Sequence, residues 1–204
     1  MSSENTASCS SAVAVLILAA GTGSRFDPTG RRFKLLQNLA DGRTVIRAVA
    51  ESALRITDDV WVVCGEREHE IAAALAGLNI RIVSCSNAAA GMGASLKCGV
   101  QAARPRAGWL VMLGDMPYIL HSTAMAVYQQ ILEGAALARP YFDGKGGHPA
   151  GISGKFENAV LELKDSQGGA AVFLAHADQV KRIGTVDPGC LQDIDYPEDL
   201  IPVS

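Results

Sequence analysis

Short apolar runs alternate with segments of helical spacing through the first half of the chain. The apolar runs predict strands over 13–18, 60–64, 80–85 and 109–113. The intervening segments predict helices over 45–56, 68–76 and 92–103, the first capped by Thr44. Because apolar strands alternate with helices, we expect a mostly parallel α/β sheet with right-handed crossovers and helices on both faces.

The second half of the chain has a different pattern. Extended segments are predicted over 137–142, 148–152 and 180–186, with a glycine-dense turn at 143–147. Helices are predicted over 122–132, 156–163, 170–177 and 197–201. These elements indicate antiparallel additions beside the parallel core. No repeat or linker interrupts the pattern, so we expect a flexible tail over 1–11 and a single domain over 12–204.

Composition narrows the class of protein. A hydrophobic content of 49% and a charged content of 19% are typical of a globular domain and exclude disorder. The net charge of −3 argues against a broad nucleic-acid surface. The first apolar run is too short to span a bilayer, and the segment before it carries Glu4 but no Lys or Arg. We therefore expect a cytoplasmic protein with no nucleic-acid or membrane partner.

The cysteines predict neither a disulfide framework nor a zinc site. All five are widely spaced and none forms a C-x-x-C pair; they stand at 9, 64, 85, 98 and 190. Cys64 and Cys85 lie in strand-like runs, so we expect them to be buried small apolar residues in a reducing compartment.

The segment from Val13 to Lys34 indicates a phosphate-binding loop after the first strand. It lacks the G-x-x-x-x-G-K-[ST] motif, and Phe26 stands where a dinucleotide fingerprint needs its third glycine. Two interpretations stay open. The loop holds a nucleoside triphosphate with Arg25 and Lys34 at its phosphates, or it is a plain turn with two solvated cations.

Three further positions carry candidate chemistry. Asp115 follows an apolar strand, where it could hold Mg²⁺ in the crevice of the sheet or cap the next turn. The acids around Asp195 indicate, on spacing alone, a helix start with solvated carboxylates. His148 stands in a constrained Gly-Gly-His-Pro segment, where it could bind a substrate or stabilise the turn.

Five motifs in order resemble those of the MobA-like nucleotidyltransferase family, closest to its molybdenum cofactor cytidylyltransferase branch. They are L-A-A-G-T-G-S-R with a downstream lysine, N-x-x-x-G-M-x-x-S-L, G-D-M-P, G-x-x-G-H-P and D-I-D-Y-P-E-D-L. The resemblance covers about 13–200. It implies a Rossmann-like sheet of the nucleotide-diphospho-sugar transferase type. It also implies transfer of CMP from CTP to the phosphate of molybdopterin, with release of pyrophosphate.

The resemblance also implies the roles of individual residues. Mg²⁺ would be held by Asp115 and Asp195, and Arg25 and Lys34 would stabilise charge on the leaving pyrophosphate. His148 would contact the acceptor. The nucleotide would be bound by Leu18, Ala19, Ala20, Gly21 and Gly23, with Asn87 and Ser95 near the base and ribose. This chain has L-A-A-G at 18–21, whereas guanylyl-transferring relatives tend to have L-A-G-G at this position. The resemblance therefore favours CTP.

Two departures from the family pattern keep alternatives open. The spacing from Arg25 to Lys34 is unusually long, so Arg31 or Arg32 could take a phosphate role. The segment 166–171 lacks the Asp and Arg that relatives usually place near the acceptor. The alternatives are a nucleotidyltransferase that uses GTP or a sugar or alditol phosphate, and a non-catalytic nucleotide-binding regulator or cofactor chaperone. A molybdoenzyme or its maturation chaperone is the expected protein partner.

Overall fold

The computed structural model describes residues 10–201 and contains one mixed sheet flanked by helices. The strands are β1 (Ser10–Ala19), β2 (Val60–Cys64), β3 (Arg81–Ser84), β4 (Arg106–Leu113), β5 (Leu137–Phe142), β6 (Lys145–Gly146), β7 (Ala150–Ser153) and β8 (Val180–Gly184). The α-helices are α1 (Val45–Leu54), α2 (Glu68–Ala74), α3 (Met92–Ala103), α4 (His121–Leu132), α5 (Glu157–Leu161) and α6 (Ala170–Ala175). No helix in this range is long and apolar enough to cross a membrane.

The sheet has the strand order β3-β2-β1-β4-β7-β5-β6, and β8 pairs with β5. The first four of these strands are mutually parallel, whereas β7 runs antiparallel to both β4 and β5. Leu18 pairs with Val63 on β2 and with Leu113 on β4. The carboxyl ends of these three strands therefore meet at one edge, and the prediction of a mostly parallel sheet with antiparallel additions is confirmed.

Both faces of the sheet are covered, as the uninterrupted apolar strands predict. On β1, Val15 and Ile17 pack in the cluster that includes residues of α1, α2 and α4. Leu16 points to the opposite face and packs with residues of α3, α5 and α6, including Leu96 and Phe173. Alternate side chains of β1 therefore pack into two separate cores, one on each face of the sheet. For this reason the buried part of β1 carries no polar side chains on either face.

Several predicted boundaries change in the structure. Ser10 and Ser11, assigned to the tail, belong to β1; the rest of the predicted tail lies outside the described residues. The predicted helix 156–163 is a 3-10 turn followed by the short α5, and 197–201 forms only the 3-10 turn Pro197–Leu200. These segments are short because their helical patterns are too brief to support a longer helix without tertiary packing. The Thr44 cap is confirmed by a hydrogen bond from the Arg47 amide.

The expectation that the cysteines stay unpaired is wrong at two positions. Cys85 and Cys98 form a disulfide, with their Cα atoms 5.9 Å apart. Cys85 directly follows β3, and α3 packs back across this strand end, so the pairing depends on helix packing that cysteine spacing does not reveal. Cys64 and Cys190 are buried free thiols. Burial raises the pKa of the Cys64 thiol to about 12, so this side chain stays protonated and unreactive at neutral pH.

Candidate active site

The Lys34 ammonium joins three segments at the carboxyl edge of the sheet. Its Nζ donates to Asp115 Oδ2 at 2.6 Å, to Asp195 Oδ1 at 3.3 Å and to the Ile194 carbonyl at 2.8 Å. Lys34 is only 8% exposed. Arg25 forms an ion pair with Asp195 from the solvent side. The structure therefore brings Arg25, Lys34, Asp115 and Asp195 together, although they come from distant parts of the chain.

Backbone contacts fix the positions of the two carboxylates. Gly114, directly after β4, donates its amide to the Leu18 carbonyl, and a Cβ there would lie 3.1 Å from that oxygen. Ile194 is fully buried and donates its amide to the Asp115 carbonyl at 2.9 Å, which aligns the Asp195 segment beside β4. The Asp199 carboxylate accepts from the Asp195 amide at 2.9 Å. Asp199 therefore holds the turn rather than joining the cluster.

The cluster fits a divalent cation that completes its coordination with substrate oxygens. Asp115 and Asp195 both reach Lys34 Nζ, so their oxygens converge on one small volume. Burial, together with Asp195 and Asp115, raises the pKa of Asp193. Within residues 10–201 no group of three or more His, Cys, Asp or Glu side chains could hold a metal. Two carboxylates plus phosphate oxygens are the usual environment of Mg²⁺.

The loop after β1 is shaped by glycine. Gly23 has a φ of +68°, and its carbonyl accepts from the Phe26 and Asp27 amides. A Cβ at Gly23 would lie 3.3 Å from Lys34 Cγ, so the absence of a side chain at Gly23 leaves room for the lysine side chain. Gly21 is exposed, and a Cβ there would meet no atom within 4 Å. Gly21 is thus open toward a ligand rather than required by packing.

The insertion between Arg25 and Lys34 is a folded unit. Phe26 and Phe33 are both buried in the core. The Asp27 carboxylate accepts from the Thr29 amide at 2.9 Å, the Thr29 hydroxyl at 2.7 Å and the Arg32 amide at 2.8 Å. These hydrogen bonds lower the pKa of Asp27 to about 2. Asp27 is therefore the organising residue of this segment.

The arginines around the insertion have different roles. The Arg32 guanidinium stacks on the Phe26 ring, whereas the exposed Arg31 side chain makes no hydrogen bond or ion pair with the described residues. Arg67, between β2 and α2, donates to the Gly30 carbonyl at 2.7 Å and lies 5.0 Å from the Phe33 ring centroid. Arg67 thereby holds the insertion against the segment that follows β2.

The first cavity, of about 460 Å³, lies beside the insertion at the carboxyl ends of β1, β2 and β3. Its lining comes from residues 19–22, 30, 33, 65–69, 84–86 and 88–89. Ala19, Ala20 and Gly21, which the resemblance implies as nucleotide contacts, are part of this lining. Asn87 and Ser95 are not among the described residues that line it: Asn87 is exposed, and Ser95 is buried in α3. A crevice outside strand ends is the usual ligand position in such sheets.

A second cavity, of about 310 Å³, lies between the sheet and helices α3 and α6. Leu18, predicted to contact the nucleotide, lines this cavity. His148 also lines it, and within the described residues its buried Nδ1 has no hydrogen-bond partner. Burial, followed by the charge of Arg139, lowers the pKa of His148 to about 4. The imidazole is therefore neutral at pH 7.

Arg139 is the residue of this region that the sequence reasoning missed. It lies on β5 and donates to the Gly146 carbonyl at 2.7 Å and to the Gly147 carbonyl at 3.1 Å. Its guanidinium lies 5.3 Å from the Phe173 ring centroid. The available signal was an arginine in the middle of an otherwise apolar extended segment, L-A-R-P-Y-F, because such a charge needs a partner or a ligand.

Known proteins resemble this chain in sequence and in fold. A sequence model of the MobA-like NTP transferase domain matches residues 15–180. A nucleotidyl transferase from Methanothermobacter thermautotrophicus is 25% identical, with a TM-score of 0.78 over 92% of this chain and 93% of that one. No curated protein sequence matches the chain.

Two further solved structures share the fold. Rv0371c of Mycobacterium tuberculosis, solved as a complex with manganese, is 22% identical with a TM-score of 0.74, over 92% of this chain and 95% of that one. The 4-diphosphocytidyl-2C-methyl-D-erythritol synthase of Anaerococcus prevotii is 17% identical with a TM-score of 0.70, over 92% of each chain. A nucleotide-diphospho-sugar transferase-like fold is thus confirmed.

Proposed function

Because the chain belongs to the MobA-like NTP transferase family and is therefore a nucleotidyltransferase, we propose that it transfers CMP from CTP to a molybdopterin-type phosphate. The observation that carries this proposal is the convergence of Lys34, Asp115 and Asp195 at the same carboxyl edge of the sheet as the first cavity. The arrangement combines a cation, two carboxylates and a ligand-sized space at one sheet edge. These are the elements that phosphoryl chemistry needs for positioning and charge neutralisation.

In the proposed reaction an acceptor phosphate oxygen attacks the α-phosphorus of CTP. The new P–O bond forms as the bond to the β-phosphate breaks, and pyrophosphate leaves with the electron pair. Asp115 and Asp195 would hold Mg²⁺, which supplies charge neutralisation at the phosphate oxygens. The protein forms no covalent bond to the substrates in this reaction. Its contribution is to align the reacting groups and to neutralise the charge on the phosphate oxygens.

The cations of the site divide this task. Lys34 is buried and holds both carboxylates in place. Arg25 is 68% exposed, and an exposed ion pair contributes little stability, so it is free to leave Asp195 for a phosphate oxygen. The exposed Arg31 is the second candidate for the triphosphate. Arg32 is occupied by its stacking on Phe26.

The first cavity would bind the nucleotide. The Ala20 carbonyl and methyl lie 3.2 Å and 3.5 Å from the Cβ position of Gly65, so the loop is packed tightly against the end of β2. A glycine in place of Ala20 would leave more room here. The extra methyl group supports CTP over the larger guanine nucleotide.

A pyrophosphate-release assay with CTP, GTP, ATP and UTP and with molybdopterin as acceptor tests the proposal. We expect release with CTP, and Asp115→Asn should lower kcat by at least about 10³-fold because charge neutralisation is lost. Asp178→Asn, an exposed aspartate in the turn after α6, is the matched control and should retain activity. Retained turnover in Asp115→Asn would contradict the mechanism.

The same assay separates the alternative functions. Release with GTP alone, or only with a sugar or alditol phosphate acceptor, would retain the chemistry and replace the substrates. Tight Mg²⁺-dependent nucleotide binding without pyrophosphate release for any acceptor would favour a regulator or chaperone.

A further inference from the structure

The insertion has buried ends and an exposed middle. Its ends are anchored because the Phe26 and Phe33 side chains are buried in the core, whereas residues 28–31 are all exposed. The hydrogen bonds to the Asp27 carboxylate fix the internal shape of this turn, but they join it only to itself. The position of the middle relative to the rest of the protein therefore depends on a contact from another segment.

Arg67 supplies this contact. Its Nη2 donates to the Gly30 carbonyl at 2.7 Å, and its guanidinium lies 5.0 Å from the Phe33 ring centroid. Among the described residues, this hydrogen bond is the one that joins residues 28–31 to a segment outside the insertion. A single side chain thus holds both the exposed middle of the insertion and one of its buried ends.

The backbone of Arg67 is itself firmly placed. The residue directly precedes α2, and its carbonyl accepts from the amide of Ile71, whose side chain is fully buried. Two residues earlier, the Gly65 carbonyl accepts from the Glu68 amide at 3.2 Å. A Cβ at Gly65 would lie 3.2 Å from the Ala20 carbonyl, so this segment is packed against the loop after β1. The side chain of Arg67 therefore reaches the insertion from a rigid support.

The residues joined by this contact all line the first cavity. Gly30 and Phe33 belong to the lining, and so does Arg67 itself. If the middle of the insertion moved away from Arg67, the cavity would lose lining from the insertion and open further to solvent. A ligand bound there would then make fewer contacts, or would first have to order the insertion at an entropic cost.

The charge of Arg67 already has partners within the protein. Its Nη1 pairs with Glu70 Oε2 at 3.1 Å, and its Nη2 is bonded to Gly30. A phosphate group would have to displace one of these partners to reach the guanidinium. The arrangement therefore favours a role in holding the insertion over direct binding of the triphosphate.

We propose that the insertion forms one side of the nucleotide site and that Arg67 is the positioning residue that holds it there, through the Gly30 carbonyl and the Phe33 ring. This inference rests on the proposed binding of a nucleoside triphosphate in the first cavity. It gives the unusually long spacing between Arg25 and Lys34 a function in nucleotide affinity.

A matched pair of substitutions tests this role. Arg67→Met removes the hydrogen bond and the stacked cation, and should raise both the Kd for a non-hydrolysable CTP analogue with Mg²⁺ and the KM for CTP about fivefold. The kcat should stay within about twofold, because the reacting groups are not touched. Arg81→Met is the control: Arg81 also pairs with an acid, Asp59, and lies 5.0 Å from the Trp61 ring centroid, but it is at the amino end of β3. It should change neither constant.

Trypsin reports the position of the insertion without any nucleotide. Arg31 and Arg32 are exposed cleavage sites within it, and cleavage requires the segment to open locally. In the nucleotide-free protein, Arg67→Met should speed cleavage at these two sites at least about threefold, whereas Arg81→Met should not. The CTP analogue with Mg²⁺ should slow cleavage in the wild type.

Two further variants separate the contacts of Arg67. Arg67→Lys retains a charged donor and should bring the Kd back to within about twofold of the wild type. Glu70→Gln removes the ion pair but leaves the hydrogen bond to Gly30, so it should leave the Kd and the cleavage rate unchanged. An equal loss of affinity in Glu70→Gln and Arg67→Met would contradict a role that acts through Gly30.

The outcomes distinguish this inference from the proposed function. Unchanged nucleotide affinity in Arg67→Met would overturn the inference alone. Weaker binding without faster cleavage would also overturn it, since Arg67 would then contact the nucleotide directly. A wild-type protein that binds no nucleoside triphosphate would overturn both, whereas Arg67-dependent binding without pyrophosphate release would overturn only the transfer reaction.

Discussion

The two cavities lie on either side of the Leu18 strand end but recognise ligands by different means. The first is formed by glycine-rich backbone, the folded insertion and the ends of three strands, with the charged cluster of Lys34 and Asp115 nearby. The second is mostly hydrocarbon, with Arg139 and His148 as its polar side chains among the described residues. The first cavity is lined largely by backbone and polar residues, and the second is lined largely by hydrocarbon.

This difference indicates which side chains are already paired within the protein and which are not. The charged cluster is paired in the protein itself, so its carboxylates already have partners before a ligand binds. Of the two polar side chains that line the second cavity, His148 has a buried Nδ1 without a hydrogen-bond partner among the described residues. Stability should therefore depend on the paired cluster and on tightly packed positions, whereas open positions of the first cavity should matter for ligand binding.

Removing the buried ammonium should have the largest effect. Lys34→Met leaves Asp115 and Asp195 facing each other; since their side chains are 21% and 15% exposed, we expect a loss of about 2 kcal/mol, less than for a fully buried pair. Turnover should also be lost. Denaturant unfolding measures the first effect, and added Mg²⁺ should restore part of the stability. Lys155→Met, on an exposed turn, is the control, and equal melting of both variants would contradict this role.

Two glycine substitutions should separate tight packing from open ligand space. A Cβ at Gly147 would overlap the Cys190 carbonyl and lie 2.8 Å from its Sγ, so Gly147→Ala should cost about 2 kcal/mol through overpacking. Gly21→Ala has open space and should change stability by less than about 0.5 kcal/mol. It should instead raise the KM for nucleotide about tenfold by occupying ligand space. Thermal melts and steady-state kinetics check the pair, and a reversed order of effects would refute the comparison.

Acid should weaken the protein through His148, with a smaller effect. Its pKa is about 4 in the folded protein against 6.5 as the ordinary value, so the unfolded chain binds more protons between these values. The free energy of unfolding should therefore fall by about 1–2 kcal/mol from pH 7 to pH 5 on account of this residue. Unfolding of wild type and His148→Gln at both pH values measures it. An identical pH dependence of the two proteins would contradict the buried neutral imidazole beside Arg139 and Asp115.

Much of the fold was predictable because it rests on local patterns. Alternating apolar runs and helical spacing predict β1 to β4 in order, and Asp115 lies two residues after the end of β4, as expected for a crevice residue. Short helices such as α5 were overestimated, since brief helical patterns end where packing ends. The Cys85–Cys98 disulfide was missed, because spacing carries no information about how α3 returns to β3.

The sequence by itself determined the order of strands and helices, the glycine-rich loop and the presence of acids after strand ends. Periodicity and backbone conformation are local properties, so neighbouring residues encode them. Only the tertiary structure decided that Lys34 lies between Asp115 and Asp195, which are 81 and 161 residues away. It also decided that Arg139 crosses Gly146 into the second cavity. Contacts of this kind depend on strand order and register, which couple distant segments through packing and leave no local pattern in the chain.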